Sequence, residues 1–137
     1  MQLVLRLSEN ELNRLHNHAE QSLPLEAAAL LFGCVHDTDV VVRRIELVQN
    51  IAESKTSFSV DPETEYKLLV EAEERGEDLV GIFHSHPAPP KPSVSDLQNM
   101  RLNPVVWVIS SKLTGRWESR AYILDDNNLD EVNLILT

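Results

Sequence analysis

The stretch "GIFHSHPAPPKPSVSD", residues 81–96, decides how this chain is read. It opens on an apolar run that closes with His84 and His86, one residue apart. In an extended strand, residues i and i+2 project from one face. The two imidazoles then stand side by side, where they can bind one metal ion, and zinc is the default for nitrogen and oxygen donors. Prolines at positions 87, 89, 90 and 92 follow. They forbid both a sheet ladder and a helix, so the segment is a stiff loop that turns the chain back. Ser93 reads as the N-cap of a short helix over "SVSDLQNMRLN", which Pro104 bars from extension. Asp96 falls in the first turn of that helix, where the dipole favours a carboxylate and where it can reach the same ion. Two imidazoles and one carboxylate leave a tetrahedral zinc one open position, the mark of a catalytic site rather than a structural one. A plainer reading is that two histidines end a strand while Ser93 and Asp96 cap a helix. Spacing alone leaves both open.

A hydrolytic zinc site needs more than its ligands. A nearby carboxylate must take a proton from water and deliver it to the leaving group, and a donor must stabilise the oxyanion of the tetrahedral intermediate. Glu26 is a candidate base, because it stands at the head of the apolar run "AAALLFGCV", where a charge is unexpected. Its alternative is an exposed carboxylate at a strand edge. Ser93 is a candidate oxyanion donor, a role compatible with capping.

Outward from this stretch, the chain alternates strand and helix patterns. "QLVLRLS" places Leu3, Leu5 and Leu7 on one side, a half-buried strand. Ser8 with Glu11 is a capping-box signature, and the helix it opens is ended by Pro24. Residues 27–36 and 39–48 read as a hairpin around the turn "HDTD", and "SFSV", residues 57–60, as a short strand. Asp61 as N-cap with Pro62 at the first helical position opens a helix that stops at Gly76. "DLVGIFHSH" is the strand that carries the histidines, "VVWVISS" a buried strand, and "WESRAYILD" another. "NLDEVNLIL" is a strand or a helix; its pattern does not choose. The result is an α/β domain on a mixed sheet, with no internal repeat or linker across residues 1–137.

Composition bounds the function. The 137 residues carry 42% hydrophobic side chains, enough for a core, and a net charge of −10. That excludes a basic nucleic-acid footprint and suits a basic partner or peptide tail. Cys34 is the sole cysteine, so an intrachain disulfide and a cysteine zinc cluster are both excluded; it reads as a core residue. No run approaches the ~20 apolar residues of a membrane span, and "MQLVLRLSEN" lacks the regions of a signal peptide. The expectation is a soluble cytoplasmic protein without a membrane partner. His16, His18 and His36 are expected not to bind metal: the first two face apart on a helix, the third sits at a turn.

With these residues in place, the chain resembles the JAMM motif of the MPN domain: a glutamate, then His-Ser/Thr-His-Pro, a short loop, and Ser-x-x-Asp. "PLEAAALLFG" supplies the glutamate, and "GIFHSHP" with "SVSD" the rest, 58 residues later. The family pattern most often has seven residues between the second histidine and the serine; here there are six, "PAPPKP". The resemblance implies an MPN fold, a curved mixed β-sheet flanked by helices in one domain. It implies one zinc per chain held by His84, His86 and Asp96, with Glu26 as general base and proton shuttle and Ser93 at the oxyanion. Ser85, between the ligands on the other face of the strand, is expected to be structural. Catalytically dead members lack ligands, and this sequence has them all.

Members with this motif mostly cleave isopeptide or peptide bonds after the C-terminal tail of ubiquitin or a ubiquitin-like modifier. The compact chain looks most like archaeal JAMM proteases, which remove small ubiquitin-like modifiers. The tail is expected to bind extended along a sheet edge, for which "SKTSFSVDP", residues 54–62, is the candidate. Two alternatives stand beside this: a JAMM hydrolase that frees cysteine or another amino acid from a sulfur-carrier protein, and a non-catalytic MPN scaffold. A dimer is compatible with the sequence, but nothing in it specifies one.

Overall fold

In the computed structural model, which describes residues 2–52 and 57–137, the elements run β1 (Val4–Leu7), α1 (Glu9–Ser22), β2 (Ala28–His36), β3 (Asp39–Val48), α2 (Pro62–Glu74), β4 (Asp78–His86), α3 (Val94–Leu102), β5 (Val106–Ser111), β6 (Glu118–Asp125) and β7 (Asn128–Leu136). The helix starts follow the capping residues. Ser8 Oγ accepts from Glu11 N at 3.0 Å while Glu11 Oε1 accepts from Ser8 N at 3.3 Å. Asp61 Oδ2 accepts from Thr64 N at 3.2 Å. α2 stops where Gly76 takes the left-handed φ of 74° that side chains disfavour.

The strands pair in the order β1-β3-β2-β4-β5-β6-β7, and β7 returns to β1, so the mixed sheet closes as a barrel. Three pairings are parallel: β1 with β3, β1 with β7, and β4 with β5. This order places β4 inside the sheet, hydrogen-bonded to β2 on one side and β5 on the other.

The alternation of β2 sorts the core into two layers. Ala29 and Leu31 join Leu5, Leu7, Leu15, Ala19, Phe83 and Val108, a cluster that includes the buried stripe of α1. Ala28, Leu30 and Phe32 join Ile82, Trp107 and Ile109 beneath Ala72 of α2 and Met100 of α3. Burial of each such large side chain contributes about 1.5–3 kcal/mol. On β4, Phe83 belongs to the first layer and Ile82 to the second. His84, two residues beyond Ile82, therefore lies on the α2/α3 side, and Ser85 on the other.

The α/β mixed sheet flanked by helices expected from the sequence is present. Two local expectations change, and one open choice is resolved. Residues 57–60 form no strand, because their backbone is bonded elsewhere: Ser59 O accepts from Ile51 N at 2.9 Å, and Ser57 and Ser59 bond the side chain of Asn50. The part of the candidate edge at residues 54–56 lies outside the described residues, and the rest is not a sheet edge. The ambiguous C-terminal segment is β7, held as a strand by β6 and β1. Cys34 is half-buried rather than core, with Arg43 Nε donating to its Sγ at 3.5 Å. Among the described residues no helix is long and apolar enough to cross a membrane.

Candidate metal centre

His84 ends a strand held on both sides, with Ala28 of β2 and Ile109 of β5 as its ladder partners. It is wholly buried. Phe58 stacks on the ring at 5.0 Å between centroids, and Trp107 meets it edge-on at 5.9 Å. Such packing fixes the imidazole plane. Its Nδ1 lies 3.1 Å from Ser85 O and 3.1 Å from Glu26 Oε1. A carbonyl oxygen only accepts, so Nδ1 carries the hydrogen and Nε2 of the neutral ring keeps its lone pair. That Nε2 is buried, has no hydrogen-bond partner, and faces Asp96 Oδ1 at 3.3 Å.

His86 repeats the pattern at the strand's mouth. Its Nδ1 is 3.3 Å from Pro89 O, which again assigns the hydrogen to Nδ1, and its Nε2 is 3.7 Å from Asp96 Oδ2. The two rings lie 5.6 Å apart at 81°.

Asp96 is 5% exposed, at the third position of α3. Ser93 Oγ accepts from Asp96 N at 3.1 Å, and Asp96 Oδ2 accepts from Ser93 N at 2.9 Å. The capping box and the ligand reading therefore hold together: the cap orients the carboxylate and leaves Oδ1 toward His84. Tyr122 Oη donates to Pro90 O at 3.0 Å and pins the proline loop. Six residues between His86 and Ser93 suffice to bring Asp96 to the histidines.

Two imidazole Nε2 atoms facing one carboxylate call for a positive charge, which a proton or a metal ion can supply. Burial pushes the His84 imidazole down, but the Asp96 and Glu26 carboxylates outweigh it and hold the group up at about 9. Burial likewise pushes Asp96 up, yet His84 and then Ser93 bring it down to about 2. Two donors each about 2.0–2.1 Å from a tetrahedral zinc stand about 3.3 Å apart, which is the His84–Asp96 separation. The residues present fit zinc. Among the described residues no group of three or more His, Cys, Asp or Glu is placed to hold a metal ion, so the fit rests on the His84–Asp96 pair. The looser side is His86, half-buried at the strand end, whose Nε2 stands 3.7 Å from Asp96 Oδ2.

Glu26 is 3% exposed, so the alternative of an exposed edge carboxylate does not hold. Oε1 is taken by His84 Nδ1, on the side of the ring away from Asp96, while Oε2 is buried without a partner. Glu26 and His86 line one cavity of about 40 Å³, room for one water. Ser85 acts on the opposite face: its Oγ accepts from Ala27 N at 2.7 Å, and its N donates to Ala27 O at 3.0 Å, tying β4 to the residue after Glu26.

The other histidines stand apart from this site. His16 Nε2 is bonded to Ser119 Oγ at 2.7 Å, His18 Nε2 to Ala28 O at 3.0 Å, and His36 is exposed. Sequence reasoning missed Phe58, Trp107 and Asn50; each is an ordinary residue far along the chain, with no local spacing to mark it.

A histidine pair on an internal strand, a carboxylate on the following helix and a buried glutamate across the sheet define a protein of the JAB/MPN type. Residues 8–122 match the prokaryotic homologs of the JAB domain, and the chain belongs to that family. It is 37% identical over 117 residues to the desampylase of Pyrococcus furiosus, covering 84% of this chain and 79% of that protein. It is 31% identical over 114 residues to the desampylase of Haloferax volcanii, covering 78% and 80%. The solution structure of protein DSY2949 from Desulfitobacterium hafniense superposes with a TM-score of 0.84 at 29% identity, over 98% of this chain and 93% of that one.

Proposed function

We propose that the protein is a zinc-dependent isopeptidase that hydrolyses the bond after the C-terminal tail of a ubiquitin-like modifier. The observation that carries this is the buried His84. Its Nδ1 is bonded to Glu26 and Ser85 O, its Nε2 faces Asp96 Oδ1 at 3.3 Å, and Glu26 stands beside it with one oxygen free. The two archaeal desampylases support the substrate class.

In this reading His84, His86 and Asp96 hold one zinc per chain. Bound there, zinc supplies a Lewis acid that polarises a carbonyl and lowers the pKa of water to about 7. Glu26 accepts a proton from the attacking water on Oε2 and returns it to the departing lysine amine. The Nδ1 contact with His84 holds the carboxylate in one rotamer between those transfers. Ser93 uses its oxygen to accept from Asp96 N, so its hydroxyl hydrogen is free to donate to the oxyanion of the tetrahedral intermediate. The aromatic wall of Phe58 and Trp107 keeps bulk water from the ligand set, where it would weaken each electrostatic contact.

The test is Glu26→Gln, assayed on an archaeal ubiquitin-like modifier conjugated through its C-terminus to the lysine of a fluorescent peptide. The expected result is an unchanged zinc content with kcat lower by about 10²–10⁴-fold. Mass analysis of the product identifies the bond cleaved. A fully active Glu26→Gln protein contradicts the mechanism.

A further inference from the structure

We propose that Asn50 is a positioning residue that sets the general base against the first metal ligand. The inference rests on the reading of Glu26 as that base. Asn50 follows β3 and is 7% exposed. Its Nδ2 donates to Glu26 O at 3.0 Å and to Ser57 O at 3.0 Å. Its Oδ1 accepts from Ala52 N at 3.0 Å and from Ser59 N at 3.1 Å. Both Nδ2 contacts are carbonyls and both Oδ1 contacts are N–H groups, so the amide has one orientation. Both donors and both acceptors are used.

The consequence lies in what these four bonds join. Glu26 precedes β2, so no sheet ladder holds its backbone. Its carbonyl is fixed by Asn50, and the next residue by Ser85. On the other side Asn50 grips Ser57 and Ser59. Between them is Phe58, the ring stacked on His84 at 5.0 Å. One buried amide therefore sets both the backbone of the base and the aromatic wall that fixes the ligand to which the base is bonded.

Reaction rates fall steeply when a reacting group is displaced, by about 10²-fold for a 1 Å misplacement. A clamp of this kind acts on kcat while leaving the ligand set intact. Asn50→Asp keeps both acceptors and removes both donors, releasing the Glu26 and Ser57 carbonyls. Asn50→Ala releases all four partners and adds no charge.

The experiment compares wild type, Asn50→Asp, Asn50→Ala and Glu26→Gln. Each is checked for fold by circular dichroism, for bound zinc by metal analysis, and for kcat and KM on the fluorescent conjugate. The expected result is a folded Asn50 variant with one zinc per chain and kcat lower by about tenfold or more, with the larger change in kcat rather than KM. If Asn50→Asp fails to fold, Asn50→Ala is read the same way. A folded variant whose kcat stays within about twofold of wild type overturns the proposal. Loss of fold or zinc in both variants also overturns it, since the residue is then structural. If Glu26→Gln is inactive while the Asn50 variants are unimpaired, this inference alone fails; if Glu26→Gln is active, the base assignment itself fails.

Discussion

At the scale of single residues, the proposed chemistry turns on a proton and a metal competing for one nitrogen. In the metal-free protein His84 is held up at about 9, above its ordinary 6.5. A raised pKa contributes stability that is complete below about pH 6.5 and is lost as pH rises through about 9. Asp96, down at about 2 from 3.8, contributes stability that is present above about pH 4 and is lost as pH falls through about 2. Denaturant titrations of the chelated protein are therefore expected to show this pair most stabilising between about pH 4 and 6.5. His84→Gln should flatten the alkaline decline; an unchanged decline would assign it to another group. If zinc binds as proposed it displaces the His84 proton, so apparent affinity should rise about tenfold per pH unit up to about pH 9. Isothermal titration in buffers of different ionisation enthalpy measures the released proton directly.

The zinc-ligand candidates and Glu26 were legible at this scale because their types are unusual where they stand: two imidazoles at the end of an apolar run, and a carboxylate before another. The structure places Asp96 3.3 Å from His84 Nε2 and Glu26 3.1 Å from its Nδ1, on opposite edges of the ring. Asn50 was not legible. An asparagine after a strand is an ordinary turn residue, and its four partners lie at positions 26, 52, 57 and 59.

At the scale of elements, capping residues and prolines marked the helices, and β-branched runs marked most strands. The pattern failed where tertiary bonds decide. "SFSV" has strand propensity, yet the Asn50 side chain and Ile51 take backbone groups a ladder would need. "NLDEVNLIL" fits two periods, and only pairing with β1 and β6 selects strand. Two predictions belong here. Ser93→Ala removes the cap from α3, which costs about 1 kcal/mol, and removes a proposed oxyanion donor, worth about 10²-fold or more in kcat. Ser93→Thr should retain both. Equal kcat for the alanine and threonine variants would restrict Ser93 to capping. The second concerns β2, whose register shifts between Phe32 and Gly33. A Cβ on Gly33 would lie 1.8 Å from Val41 O, so Gly33→Ala must displace β3 or open the pairing. A marked drop in thermal midpoint is expected, and an unchanged midpoint would show that the strands tolerate the shift.

For the whole molecule, the mixed sheet was readable from element order, but its closure was not. The parallel pairing of β1 with β7 joins residues near position 5 to residues near position 134, and no local pattern announces a contact at that separation. The site itself depends on the middle of that order, where β2 and β5 flank β4 and fix the backbone beneath both histidines. Zinc binding should stabilise the whole fold by linkage. At free zinc one hundred times Kd the gain is about 2.7 kcal/mol, a rise of several degrees in thermal midpoint for a chain of this length. Calorimetry should show that rise in wild type and not in His84→Ala.

The most direct test is anomalous diffraction at the zinc edge from crystals of the zinc-loaded protein. The expected result is one zinc per chain bonded to His84 Nε2, His86 Nε2 and an Asp96 oxygen, each at about 2.0–2.2 Å, with Glu26 beside the remaining position. An anomalous peak elsewhere in the chain, or zinc at this site with Asp96 turned away from it, would contradict the account.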